Sequence, residues 1–77
     1  MPQPIKIYVE LQDEDVEVYR PVKAVWIADG IYELSRQHYD PSIERWRFCP
    51  GDRVVCKKQL LDGDRVLVAV ELARGDQ

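Results

Sequence analysis

From Ile5 the chain alternates: Ile5, Ile7, Val9 and Leu11 are apolar, and Lys6, Tyr8 and Glu10 separate them. A period of two places successive side chains on opposite faces of a strand, one face in a core and the other in water. No other feature constrains the fold as much, because the same rhythm returns along the chain. Val16, Val18, Val22, Ala24 and Trp26 keep one parity across Pro21, and Glu44, Trp46 and Phe48 alternate with Arg45 and Arg47. The first strand is predicted over residues 4–11, with Gln12–Asp15 as a turn. Pro21 has no N–H for a ladder and so belongs at a sheet edge, a bulge or a corner, with a barrel corner fitting best. Gln37–Ser42, which contains Asp40-Pro41, reads as a loop, because the residue before proline is pushed out of the helical region. Pro50-Gly51 turns the chain into the next strand, and no long helix is expected.

Two Asp-Gly pairs set hairpin registers, and register decides which face is buried. At Asp62-Gly63 a two-residue turn pairs Cys56 with Ala69 and Lys57 with Val68, which mixes core with solvent. A three-residue loop Leu61-Asp62-Gly63 with a left-handed Gly63 pairs Lys58 with Val66, Cys56 with Val68 and Val54 with Val70, a more continuous apolar face. The same loop at Ala28-Asp29-Gly30 pairs Trp26 with Tyr32 and Ala24 with Leu34. Bulged hairpins are therefore expected at both Asp29-Gly30 and Asp62-Gly63. Five to six short antiparallel strands in 77 residues suit a closed barrel better than a sandwich, so the expectation is an all-β, small SH3-like barrel. Residues 1–77 form one domain in this reading, with 73–77 a flexible tail whose Arg74-Gly75-Asp76 is a chance tripeptide.

At 9.0 kDa the chain has room for one thin core and no deep cleft, which argues against an enzyme. No catalytic set is discernible: His38 is the only histidine, and Ser35, Ser42, Cys49 and Cys56 sit in no nucleophile elbow. Cys49 and Cys56 stand outside any C-x-x-C spacing and read as reduced thiols, Cys56 as a small core residue; no metal and no cofactor are expected. The longest apolar run, Val66–Val70, is far short of the roughly 20 residues needed to cross a bilayer. Met-Pro-Gln-Pro opens no secretory signal, and the expected location is cytoplasmic.

A formal net charge of -3 has the wrong sign for a dedicated nucleic-acid binder. Its distribution is uneven. Glu10, Asp13, Glu14, Asp15 and Glu17 form an acidic run, whereas Arg45, Arg47, Arg53, Lys57 and Lys58 make the following strands basic. A solvated turn and the outward faces of strands account for both.

The string Val16-Glu17-Val18-Tyr19-Arg20-Pro21-Val22-Lys23-Ala24, then Tyr32, then Trp46-Arg47-Phe48-Cys49-Pro50-Gly51-Asp52-Arg53-Val54-Val55-Cys56 together resemble a family of small bacterial proteins of unknown function. Its pattern is V-x-V-W-R-P-V-x-A followed by W-x-F-x-P-G-D-x-V-x-C, with Tyr19 here in place of the first tryptophan. The P-G-D-x-V element is similar to the strand-opening turn of SH3-like barrels. The resemblance implies the fold and carries no activity.

The functional expectation is a non-catalytic binding or adaptor module that acts through protein contacts, as a homodimer or with another protein. Tyr8, Val25 and Ile27, on the outward parity, form its apolar strip, and Arg20 is a candidate binding residue. Arg20 also reads as a structural ion pair with Glu17, Glu33 or Glu44. The alternative is a nucleic-acid or ribonucleoprotein-associated barrel using Arg45, Arg47, Arg53, Lys57 and Lys58. That reading requires an exposed Trp46 on which bases stack.

Overall fold

The alternation at Ile5–Gln12 does form strand β1, in which Ile7, Val9 and Leu11 are buried and their neighbours are not. The computed structural model describes residues 3–73 and continues with β2 (Tyr19–Ala28), β3 (Ile31–Leu34), β4 (Arg45–Trp46), β5 (Arg53–Leu61) and β6 (Asp64–Leu72). The described residues contain no helix, and so none long and apolar enough to cross a membrane.

Strands β1, β2, β3, β5 and β6 close into a ring, and β4 adds to the end of β1 through Leu11↔Trp46 and Gln12↔Arg45. The fold is the expected small SH3-like barrel, with one departure from all-antiparallel pairing. β1 and β6 pair parallel, Tyr8 opposite Val68. The reason is parity: strands that reverse direction at each step around a ring of five must leave one neighbouring pair running the same way.

The barrel is filled by Ile7 and Val9 from β1, Val22 and Ala24 from β2, Leu34, Val54 and Cys56 from β3 and β5, and Ala69 from β6, with Trp46 and Phe48 closing one side. Each fully buried aliphatic side chain is worth about 1.5–3 kcal/mol relative to exposure. Leu34 also anchors the Pro50-Gly51 turn: its C=O accepts from Gly51 N at 2.8 Å and its N–H donates to Asp52 O at 2.9 Å. Gly51 sits at φ 95°, a conformation that suits glycine.

The β2–β3 hairpin has the expected register, Trp26↔Tyr32 and Ala24↔Leu34, with a bulge between Trp26 and Ala28. The β5–β6 hairpin does not. It closes by a two-residue turn at Asp62-Gly63, pairing Leu61 with Asp64, Lys57 with Val68 and Cys56 with Ala69. Asp62 itself takes a left-handed φ of 51° beside Gly63 at 85°, the requirement of a type I′ turn. The irregularity lies deeper, between Val55 and Cys56, so Val54 faces Leu72 rather than Val70. The expected three-residue loop rests on a continuous apolar face across both strands, but Lys57–Leu60 of β5 are all exposed, and only the β6 side buries anything here, with Val68 buried and Leu67 packed against the core.

Two residues on the inward parity of the second strand segment are not in the core. Val16 is 71% exposed in the β1–β2 connection and Trp26 is 56% exposed at the barrel rim. Pro21 lies within β2 opposite Tyr8, and β2 changes partner three residues later at Ala24, which pairs with both Ile5 and Leu34. The tripeptide Arg74-Gly75-Asp76 and the rest of the tail after Ala73 lie outside the described residues.

Candidate functional site

Registers place the outward apolar residues. Tyr8, opposite Pro21, is separated from Val25 along the sheet by the directly paired Lys6 and Lys23, so the expected strip is interrupted. Tyr8, Val25 and Ile27 are each half-buried. Val25 and Ile27 instead flank Trp26, and Ile31 and Val55, opposite each other on β3 and β5, extend the same outer side. On the inner side Trp26, Tyr32, Val54 and Leu72 form one cross-strand row over four strands. Val54 is fully buried, whereas Trp26 and Leu72, at the ends of the row, are exposed. The rim around the β2–β3 hairpin thus presents an exposed indole on its inner side and half-buried Val25 and Ile27 on the opposite face of the same strand.

Arg20 makes the structural ion pair with Glu44. Its Nε and Nη2 donate to Glu44 Oε1 and Oε2 at 2.7 and 2.6 Å, a bidentate pair. Glu44 Oε1 also accepts from the Trp46 indole Nε1 at 2.9 Å. The bond from Arg20, then that from Trp46, holds the Glu44 carboxyl below the usual glutamate range, and Glu44 in turn raises the Arg20 guanidinium. Tyr39 covers Trp46 with ring centres 4.6 Å apart and accepts the Trp46 backbone N–H on its hydroxyl at 3.2 Å. A shallow cleft of about 350 Å³ lies beside this cluster, lined by Arg20, Pro21, His38, Asp40 and Ile43 among others. His38 meets no serine or cysteine there. Asp40 is turned to its own loop, accepting from Ser42 N and Oγ, bonds that keep its carboxyl below the ordinary value.

The acidic and basic runs meet because β1 pairs with β4. Arg45 bonds Asp13 at 3.1 Å and Arg47 lies 3.7 Å from Glu10; separately, Arg53 on β5 bonds its directly paired Glu33 on β3 at 3.1 Å. Lys57 and Lys58 remain exposed on β5, away from Trp46 on β4, and Trp46 is only 8% exposed. Arg47 also lies over the Phe48 ring, 5.0 Å from its centre.

Both cysteines are free, Cys49 exposed and Cys56 buried, and desolvation pushes the Cys56 thiol up to about 11. Among the described residues no three His, Cys, Asp or Glu side chains group as a metal site. Sequence reasoning missed the exposed Trp26, whose parity is that of core residues, and the Glu44–Trp46 bond. The latter had a signal: Glu44 and Trp46 are two apart in the predicted alternation, hence on one face of it, and an acid on an inward parity needs a donor. Comparison with protein-family models, with curated proteins and with solved structures gives no match.

Proposed function

We propose that this barrel is a non-catalytic binding module that acts through protein contacts at the rim formed by Val25, Trp26 and Ile27. The observation that carries the reading is the placement of Trp26. Tryptophan is among the residues that dominate contact energies, and here one of the chain's two tryptophans is 56% exposed while the other is packed and hydrogen-bonded. Half-buried Val25 and Ile27, on the opposite face of the same strand, add apolar area to the outer side of that rim. The two free thiols support a reducing compartment, and the proposal places the module in the cytoplasm. The alternative of nucleic-acid binding is weakened by the carboxylate partners of Arg45, Arg47 and Arg53 and by the burial of Trp46.

The test is a photo-crosslinking residue placed at Trp26 and, as a control, at Lys58 on the far hairpin, with irradiation in cell extract. A discrete protein adduct from position 26 and none from position 58 is the expected outcome. Equal labelling at both positions, or adducts at 26 that disappear on nuclease treatment, would overturn the reading.

A further inference from the structure

The exposed edge of β2 carries a second surface. β3 ends at Leu34, opposite Ala24, so the upstream half of β2 has no strand on that side. There the Gln37 side chain takes the strand's place: its Oε1 accepts from Lys23 N at 3.0 Å and its Nε2 donates to Lys23 O at 2.9 Å. Pro21, two residues before and on the same edge, has no N–H to offer. This edge is closed to strand addition, and what remains is a groove. It measures about 460 Å³ beside Pro4, Ile5, Lys6 and Lys23, and adjoins across Pro21 and Gln37 the cleft that reaches Ile43.

Lys6 and Lys23, directly opposite each other across β1 and β2, line this groove. Among the described residues neither has an ion-pair partner, although Arg20, Arg45, Arg47 and Arg53 all do; the Lys6 ammonium lies 5.6 Å from the Tyr8 ring centre. Like charges directly opposite destabilise a sheet, and a carboxylate brought between them removes that repulsion. The complementary chemistry is on the same chain. In the β1–β2 connection Glu14, Asp15 and Glu17 also lack ion-pair partners, and Val16, between two of these acids, is 71% exposed. Asp13, at φ 63° and bonded to Arg45, anchors the start of this turn.

We infer that the groove receives the Asp15-Val16-Glu17 turn of a second copy of this chain, the two carboxylates against Lys6 and Lys23 and Val16 against Ile5 and Pro21. The contact is separate from the Trp26 rim and does not depend on it.

Sedimentation equilibrium at low salt, from micromolar to millimolar protein, reads the association directly. Wild type is expected to gain mass with concentration, and the K6E/K23E and D15K/E17K variants are each expected to associate about tenfold or more weakly. All four positions are exposed, and far-UV circular dichroism checks that both variants fold. An equimolar mixture of the two variants again has opposite charges on turn and groove, so association must return in the mixture. W26A leaves all of this unchanged. A wild type that stays monomeric throughout, a mixture no more associated than its components, or association abolished by W26A and not by K6E/K23E would each overturn the inference.

Discussion

Replacing Glu44 separates two interactions that share one oxygen. Glu44 Oε1 accepts both Arg20 Nε and Trp46 Nε1, while Oε2 serves Arg20 alone. Glu44→Ala leaves the indole N–H of a residue only 8% exposed without its partner, a loss of about 1–3 kcal/mol. The ion pair adds little: the Arg20 side chain is 48% exposed, and pairs of that kind contribute about 0.2–1 kcal/mol. Because the two are coupled through one carboxylate, the total for Glu44→Ala is expected at about 2–3 kcal/mol rather than a simple sum. Glu44→Gln keeps an acceptor for the indole and turns its amide nitrogen toward the exposed Arg20 Nη2, which water can serve; its cost is expected at about 1 kcal/mol or less. Arg20→Met should match Glu44→Gln. The assay is urea unfolding followed by tryptophan fluorescence in a Trp26→Phe background, so that Trp46 alone reports. If Glu44→Gln costs as much as Glu44→Ala, the charge pair and not the indole bond is what matters, and the reasoning fails. The pH dependence follows from the depressed Glu44 carboxyl. Its folded value lies below its unfolded one, so its contribution is complete above the ordinary glutamate range and is lost as pH falls through the folded value. The gap between wild type and Glu44→Gln should therefore narrow only in acid, below that range.

Ile7→Ala removes a fully buried side chain from the centre of the ring and should destabilise by about 2–5 kcal/mol in the same urea assay, with a value under half the lower bound refuting the assigned core. Gly63→Ala puts a Cβ into open space at φ 85°, so only backbone strain of about 1–2 kcal/mol is expected; a clearly larger loss would indicate a steric clash the turn does not contain. A thiol reagent near neutral pH should modify Cys49 in the native protein and reach Cys56, buried with its thiol pushed up to about 11, only after denaturation. Rapid native labelling of both would show that the β5–β6 wall opens far more readily than its packing implies.

Much of the core could be read from local rhythm. Ile7, Val9, Val22, Ala24, Trp46, Val54 and Cys56 lie on the inward parities of their strands, Phe48 keeps the parity of Trp46 past the end of β4, and all are buried. What failed was where the rhythm stops mattering. Asp29-Gly30 and Asp62-Gly63 are the same dipeptide with different turns, because Lys57–Leu60 of the second hairpin bury nothing and so place no demand on its register. Trp26 keeps core parity yet stands at the rim, since parity fixes a face and not the height along a barrel wall. Arg20 could be narrowed to three acids, and only the path of the Gln37–Ser42 loop selects Glu44. The Gln37 amide that substitutes for a strand had no sequence signal, because any polar side chain in that loop looks alike until the edge of β2 is seen.

The parallel seam between β1 and β6 also sets the order in which the molecule can assemble. The antiparallel steps around the ring join strands closer in sequence than this, but Tyr8 meets Val68 only when almost the whole chain has been gathered. That last closure must overcome the largest loop entropy in the fold and gains few ladder bonds in return. Until it happens Ile7 and Val9 lie on an open edge. The barrel should therefore fold on the slow side for its size, with the hairpins formed early and the seam last, and the seam should also be where amide exchange in the native protein first reports opening.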